Sequence, residues 1–291
     1  MSLRSHITPM TQFAIHQKTK TNRRFFEDLG NDIRLEMVLI PSGTFLMGSP
    51  EDELERRDNE GPRHLVTVPT FFMGRYPITQ EQWRAVAAMP RVERDLDPAP
   101  SEFKGDMRPV ERVSWEDTME FCARLSIHTK RSYSLPSEAE WEYACRAGTT
   151  TPFHFGETIS PEVANYDGNY LYARSPEVVR YDGSSTYGDA SQKAYRKETT
   201  LVGYFGVSNA FGLCDMHGNV CEWCLDPWHD NYEGAPMDGS VWNSDEQKDI
   251  RVLRGGSWLN KPRSCRSANR DYVNPASHYD YNVGFRIVCH L

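Results

Sequence analysis

Positive charge is in short supply in this chain. Lys and Arg number 33 against 41 Asp and Glu, a net charge of −8. An acidic protein has no long-range attraction for a nucleic-acid backbone or an anionic membrane, so neither is expected as its partner. Long hydrophobic runs are missing as well. No segment reaches the roughly 20 apolar residues that span a bilayer. The opening MSLRSHITPMTQFAIHQKTKTNRRFF lacks the apolar stretch of a signal peptide, and a cytoplasmic protein is expected. The 7 Cys have no framework spacing, which suits reduced, mostly buried thiols. HExxH, GxSxG, P-loop and GxGxxG patterns are all absent, so the chemistries they signal have no support here.

What the chain does contain points to a packed protein of short elements. Hydrophobic residues make up 38% and charged residues 25%, a globular balance. The 20 Gly, 18 Pro and 12% aromatic residues favour ordered turns over long helices. Residues 1–34 are basic and polar apart from Phe25 and Phe26, and read as an N-terminal arm or linker; residues 35–291 read as one domain. LEMVLIPSGTFLMGS reads as strand, turn and strand, a hairpin, and HLVTVPTFFMGRYPIT as a second strand pair. The charged PEDELERRDNEGPR between them reads as a solvated loop. Thr79 to Gln82 forms a capping box for a helix through Met89. Ser114 opens a second helix, where Trp115, Met119, Cys122 and Leu125 recur at helical spacing. Ser137 opens a third, with Glu140 at the box position and Gly148 as the stop; Glu138, Glu140 and Glu142 read as a capping and helix-dipole pattern. Periodicity then fades over a long stretch that something must order: aromatic packing, side-chain hydrogen bonds or metal ions. Short strands return at CEWCLD, RVLRGGSW and VGFRIVCHL.

Two stretches carry candidate chemistry. In NAFGLCDMHGNVCEWCLDPW, Asp215, Asn219 and Glu222 offer oxygen atoms, and the carbonyls of Gly218 and Val220 complete a set that suits a hard cation of the calcium type. The spacing is not that of an EF-hand, and a turn-rich loop without an ion is the alternative. Cys221 and Cys224 form a CxxC with no second pair, so two packed thiols are expected rather than zinc or redox chemistry. His217 reads as a hydrogen-bonding residue in a Gly-Asn turn. The second stretch is RSANRDYVNPASHYDYNVGFR, residues 266–286, crowded with Asn, Tyr, Asp, Ser and His. Such side chains make a slack loop, a catalytic loop or a surface for contact.

The motifs MVLIPSGTFLMGS, HLVTVPTFFMGRYPITQEQW, RPVERVSWEDTMEFCARL, YSLPSEAEWEYACRAG, NAFGLCDMHGNVCEWCLD, RVLRGGSW and VGFRIV occur in this order. Together they resemble the formylglycine-generating enzyme (sulfatase-modifying factor) family over residues 35–291. The resemblance implies an α+β protein with that family's variant of the C-type lectin fold: few regular elements, much ordered loop, and structural calcium. It implicates Asp215, Gly218, Val220 and Glu222 in one calcium loop, and Asn165 and Tyr166 of ANYDGN in another. The family's enzymes hold Cu(I) between two cysteines that follow the GGS strand, because two soft thiolates suit that ion. Here GGSWLNKPRSCRSA matches the second cysteine with Cys265 and places Asn260 at the first. The resemblance therefore implies a non-enzyme that holds no copper. A diverged oxidase using Cys265, or an accessory domain of a larger signalling system docking through residues 1–34, is the alternative.

The segment from Arg254 to Arg286 also resembles the variable region of proteins diversified by retroelements, whose reverse transcriptase misincorporates opposite adenine. Asn codons begin with two adenines and are the usual targets. Leu259, Asn260, Ser264, Asp271, Tyr272, Val273, Asn274, Ser277, His278, Tyr279, Asp280, Tyr281 and Asn282 are all reachable from such codons. Arg254, Gly255, Gly256, Trp258, Cys265, Arg266, Gly284 and Phe285 keep the framework pattern. The resemblance implies a ligand-binding surface over residues 259–282 for a protein or other macromolecular partner. Its Tyr, Ser, Asn and Asp composition is that of antibody-like paratopes.

Overall fold

The computed structural model describes residues 21–168, 195–243, 250–276 and 280–291. Among these, eleven short strands and three helices make an α+β fold. A five-stranded sheet has the order β1 (Arg24–Asp28), β2 (Arg34–Ile40), β5 (Phe71–Gly74), β11 (Val288–His290), β6 (Ser132–Ser134). A four-stranded sheet has the order β10 (Val283–Gly284), β7 (Cys221–Pro227), β8 (Arg251–Arg254), β9 (Asp271–Val273). A two-stranded ribbon pairs β3 (Gly43–Met47) with β4 (His64–Val68). No helix among the described residues is long and apolar enough to cross a membrane.

The expected hairpins are not formed as read. β2 pairs with β5, and β3 with β4, so one long hairpin is broken in the middle. Ile40 faces Phe71 on one side of the break and Gly43 faces Val68 on the other. Pro41 and Pro69 lie in the gap, where a residue without an N–H cannot extend a ladder. The break separates the ribbon from the five-stranded sheet. The N-terminal boundary also moves: β1 lies inside the stretch expected as an arm, pairs along its length with β2, and sets Phe25 edge-on to Phe72 at 4.8 Å.

The three helices are α1 (Gln80–Ala87), α2 (Trp115–Thr129) and α3 (Glu138–Arg146). Each opens with a reciprocal capping box, from Thr79, Ser114 and Ser137 respectively. Such a cap satisfies two orphan N–H groups and stabilises by about 1 kcal/mol. α3 ends at Ala147 in the left-handed region, one residue before the expected stop at Gly148. Two large hydrophobic clusters and a smaller one around Phe153 and Tyr166 fill the interior of the described residues. In one, Trp83 stacks on Phe121 at 5.6 Å and Phe285 meets both rings edge-on. The other surrounds Trp141 of α3, which is fully buried.

Candidate functional site

The segment between β8 and β11 is pinned by its arginines. The side chains of Arg254, Arg266, Arg270 and Arg286 are 0% exposed, and each meets a carboxylate. Arg270 forks onto Glu138 at 2.6 and 2.9 Å. Arg266 forks onto Glu60 at 2.6 and 2.8 Å and also reaches Glu53. Arg286 forks onto Glu222 at 2.6 and 2.7 Å. Arg254 pairs with Glu142 and donates to the carbonyls of Ser267, Ala268 and Asn269, so it holds the chain that follows it. Burial alone would raise the Glu142 carboxyl, but Arg146 and Arg254 beside it hold it below its ordinary value. Breaking one such buried pair from one side costs about 3–5 kcal/mol. These partners correct two expectations. PEDELERRDNEGPR is not simply solvated, because Glu60 is fully buried under Arg266. Glu138 and Glu142 are ion-pair partners and not only a dipole pattern, whereas Glu140 does close the capping box.

Backbone geometry fixes the start of the segment. Gly256 has φ +67, and a Cβ there would stand 2.8 Å from the Cys265 sulfur and from the Ser264 carbonyl oxygen. Only glycine lets the chain turn this closely over the short 3-10 turn at Pro262–Cys265.

The candidate contact positions are spread across the four-stranded sheet. Asp271, Tyr272 and Val273 form β9 on one edge, while Tyr281 and Asn282 lead into β10 on the other. Three strand spacings separate these edges, about 14 Å. Leu259, Tyr272, Asn274 and Tyr281 are exposed, and Asn260, Asp271, Val273, Asp280 and Asn282 are half-buried. Ser277, His278 and Tyr279 lie outside the described residues. Ser264 departs from the expectation: it is 8% exposed and faces inward beneath the turn. Val273 packs partly against the core cluster, as the alternation of a strand requires. The Asn260 amide oxygen accepts from Ser257 Oγ at 2.5 Å and from Cys221 Sγ at 3.4 Å, so its side chain is tied inward.

Aromatic residues back both edges. Tyr272 lies against Trp228 at 4.5 Å, and Arg270 sits over the same indole at 4.5 Å. At the other edge Trp258, 4% exposed, stacks with Tyr195 at 6.0 Å and with Tyr281 at 5.6 Å. Phe103 meets the Trp258 ring edge-on at 5.3 Å, and the Trp258 indole N–H donates to the Tyr281 carbonyl at 3.2 Å. Sequence reasoning missed Phe103 and Tyr195. They stand far from residues 259–282 in the chain, and no local pattern marks them.

The calcium candidates fit an ion unequally. Asn165 fits: it lies on a backbone bridge with Gly218, and its Oδ1 is buried without a partner. Thr200 Oγ1 is likewise buried and unpartnered, and Asn219 Oδ1 accepts from both the Asn165 amide and the Thr200 N–H. Gly218 has φ +92, and a Cβ there would stand 2.3 Å from the Asn165 carbonyl oxygen. Asp215 accepts from Gly203 N–H at 2.6 Å, and burial pushes its carboxyl up to about 6. Glu222 does not fit: Arg286 takes both of its oxygens and the Trp141 indole N–H shares one at 2.7 Å. Tyr166 is buried, with its hydroxyl donating to the Ile159 carbonyl, and Val220 is buried in the turn. His217 is a hydrogen-bonding residue: Nδ1 pairs with the Cys265 carbonyl at 2.7 Å, and Nε2 accepts from His154 N–H at 3.0 Å. Cys221 and Cys224 are buried and free.

The description "Sulfatase-modifying factor enzyme 1-like domain" matches residues 23–291. The inactive C-alpha-formylglycine-generating enzyme 2 of Bos taurus is 27% identical, with 89% of each chain covered. The solved structure of PvdO from Pseudomonas aeruginosa is 32% identical, covering 94% of this chain and 100% of that one, with a TM-score of 0.73. Treponema denticola variable protein 1 is 23% identical over the same shares, with a TM-score of 0.67, a likeness of fold. With its few regular elements, buried arginine anchors and GGS turn, the chain belongs to the sulfatase-modifying factor enzyme 1-like family, the formylglycine-generating-enzyme variant of the C-type lectin fold.

Proposed function

We propose that this protein is a non-enzymatic binding protein whose C-terminal surface, within residues 259–282, takes up a protein or other macromolecular ligand and is diversified by a retroelement. One observation carries the reading. Within a single segment, the arginine and aromatic framework is buried and bonded internally, while Leu259, Tyr272, Asn274 and Tyr281 between those anchors face solvent. Side chains so separated can change without disturbing the core. Tyr gives large contact area at low entropic cost, and Tyr272 and Tyr281 are the described hot spots. Calcium is proposed as a structural ion on the Asn165 side of the loops, with Glu222 left to Arg286.

The test is to sequence the DNA around this reading frame. The reading requires a near-copy of the codons for residues 254–286, mismatched at template adenines, beside a reverse transcriptase frame. Without a second copy it fails.

A second reading, a diverged copper-dependent oxidase, has one observation in its favour. Cys221 brings a thiol to within 3.4 Å of the Asn260 amide. Burial nonetheless pushes the Cys221 and Cys265 thiols up, away from the thiolate that Cu(I) requires. Stoichiometric Cu(I) binding with oxygen-dependent oxidation of a cysteine peptide would establish this reading in place of the first.

A further inference from the structure

We propose that Glu111 is a positioning residue for the candidate ligand surface, holding Phe103 as a fixed aromatic wall against Trp258 and Tyr281. The proposal rests on the reading of that surface as a binding site and extends it to a loop outside the variable segment.

The contacts form a continuous line. Glu111 is fully buried, and its Oε1 accepts from Phe103 N–H at 2.9 Å. The Phe103 carbonyl is held from the other side by Gln80 Nε2 of α1 at 2.7 Å. Ser101 Oγ accepts from Glu111 N–H at 3.1 Å and closes the loop on itself. With its peptide gripped on both sides, Phe103 sets its ring edge-on to Trp258 at 5.3 Å and to Tyr281 at 6.3 Å. The Trp258 indole N–H, bonded to the Tyr281 carbonyl, passes the placement on to an exposed contact residue.

Glu111 is also poised to titrate. Its second oxygen, Oε2, is buried with no partner, which disfavours the charged form. Burial pushes the carboxyl up to about 7, against the N–H groups of Glu102 and Phe103 and the charge of Arg112. Glu102 and Arg112, paired with each other at 2.9 Å, are the charged groups acting on it. α1 presents neutral Gln80, and Gly284 of β10 lies against the Val110 carbonyl next to Glu111. An ionised carboxylate is the stronger acceptor, so the grip on Phe103 tightens as pH rises through neutrality.

The experiment is an amide and indole nitrogen–proton NMR titration of the full chain, from mildly acidic to mildly alkaline pH. The Phe103 amide is assigned by selective labelling and the Trp258 indole by its loss in Trp258→Phe. Both signals are expected to move with one midpoint near pH 7, the value to which Glu111 is pushed. Both movements are expected to vanish in Glu111→Gln, whose amide oxygen still accepts from Phe103. A Trp258 indole that stays still while Phe103 moves, one that still titrates in Glu111→Gln, or a Phe103 amide that does not titrate overturns the proposal. None of these signals depends on a ligand or on the retroelement. Failure of the binding reading, seen as the absence of a second DNA copy, is therefore distinguishable from failure here.

Discussion

Replacing Arg266 by Met separates framework from contact surface. Arg266 and Glu60 both have side chains at 0% exposure, and the Glu53 side chain is 3% exposed. Removing the guanidinium takes the partner from two interior carboxylates, Glu60 and Glu53. Such a one-sided break destabilises by about 3–5 kcal/mol. For a domain of this size each kcal/mol moves Tm by about 2–4 °C, so a fall of about 10 °C is expected. Tyr281→Ser removes an exposed ring and its stacking on Trp258, a loss of about 1 kcal/mol or less. The double variant Arg266→Met with Glu60→Leu is expected to recover part of the loss, because Glu53 alone is then left without the guanidinium. Thermal and urea unfolding, followed by tryptophan fluorescence, measures all three. If Arg266→Met is no more destabilising than Tyr281→Ser, the division of this segment into anchors and free positions is wrong.

Four further outcomes are expected. Burial, followed by the nearby Glu138, pushes the Asp226 carboxyl up to about 7, so the folded state holds that proton more tightly than the unfolded chain. Its contribution is fully present in acid and is lost as pH rises towards 7, and in urea unfolding across that window Asp226→Asn is expected to flatten the decline relative to the parent. Thr79→Ala removes the α1 capping box and is expected to lower stability by about 1 kcal/mol in the same assay. Deleting residues 1–34 is expected to lower Tm by several degrees because it removes β1, so a docking test of the arm needs a shorter truncation. Calcium added to chelator-treated protein is expected to raise Tm through the Asn165 loop, a stabilisation of about 2.7 kcal/mol at a hundredfold excess over Kd; an unchanged Tm removes the ion.

Local chemistry was legible in the sequence, and long-range partnership was not. The capping boxes at Thr79 and Ser137 were readable because both halves of each lie within four residues, and Ser114 was legible as a helix start. The hairpins were misread because the strand pattern is the same whether β2 turns back on β3 or passes into a second ribbon; the bend at Pro41 and Pro69 decides between them. The exposed tyrosines stood out by composition. Ser264 was misplaced because codon logic carries no information about burial. The anchors were hidden because Arg266 and Glu60 are 206 residues apart, and charged residues carry no periodic mark of being buried. Phe103 reaches Trp258 across a gap that no local pattern bridges.

The position of β11 bears on how the segment before it must be made. Val288 pairs with Met73 of β5 on one side and with Ser134 of β6 on the other, so the last strand fills a slot inside the five-stranded sheet. Every residue from 254 to 286 must be translated, in frame, before that slot is filled. A stop codon or frameshift in the segment leaves a gap between two edges, and the resulting chain is open to aggregation and proteolysis. The topology thus ties completion of the five-stranded sheet to translation through the whole of residues 254–286.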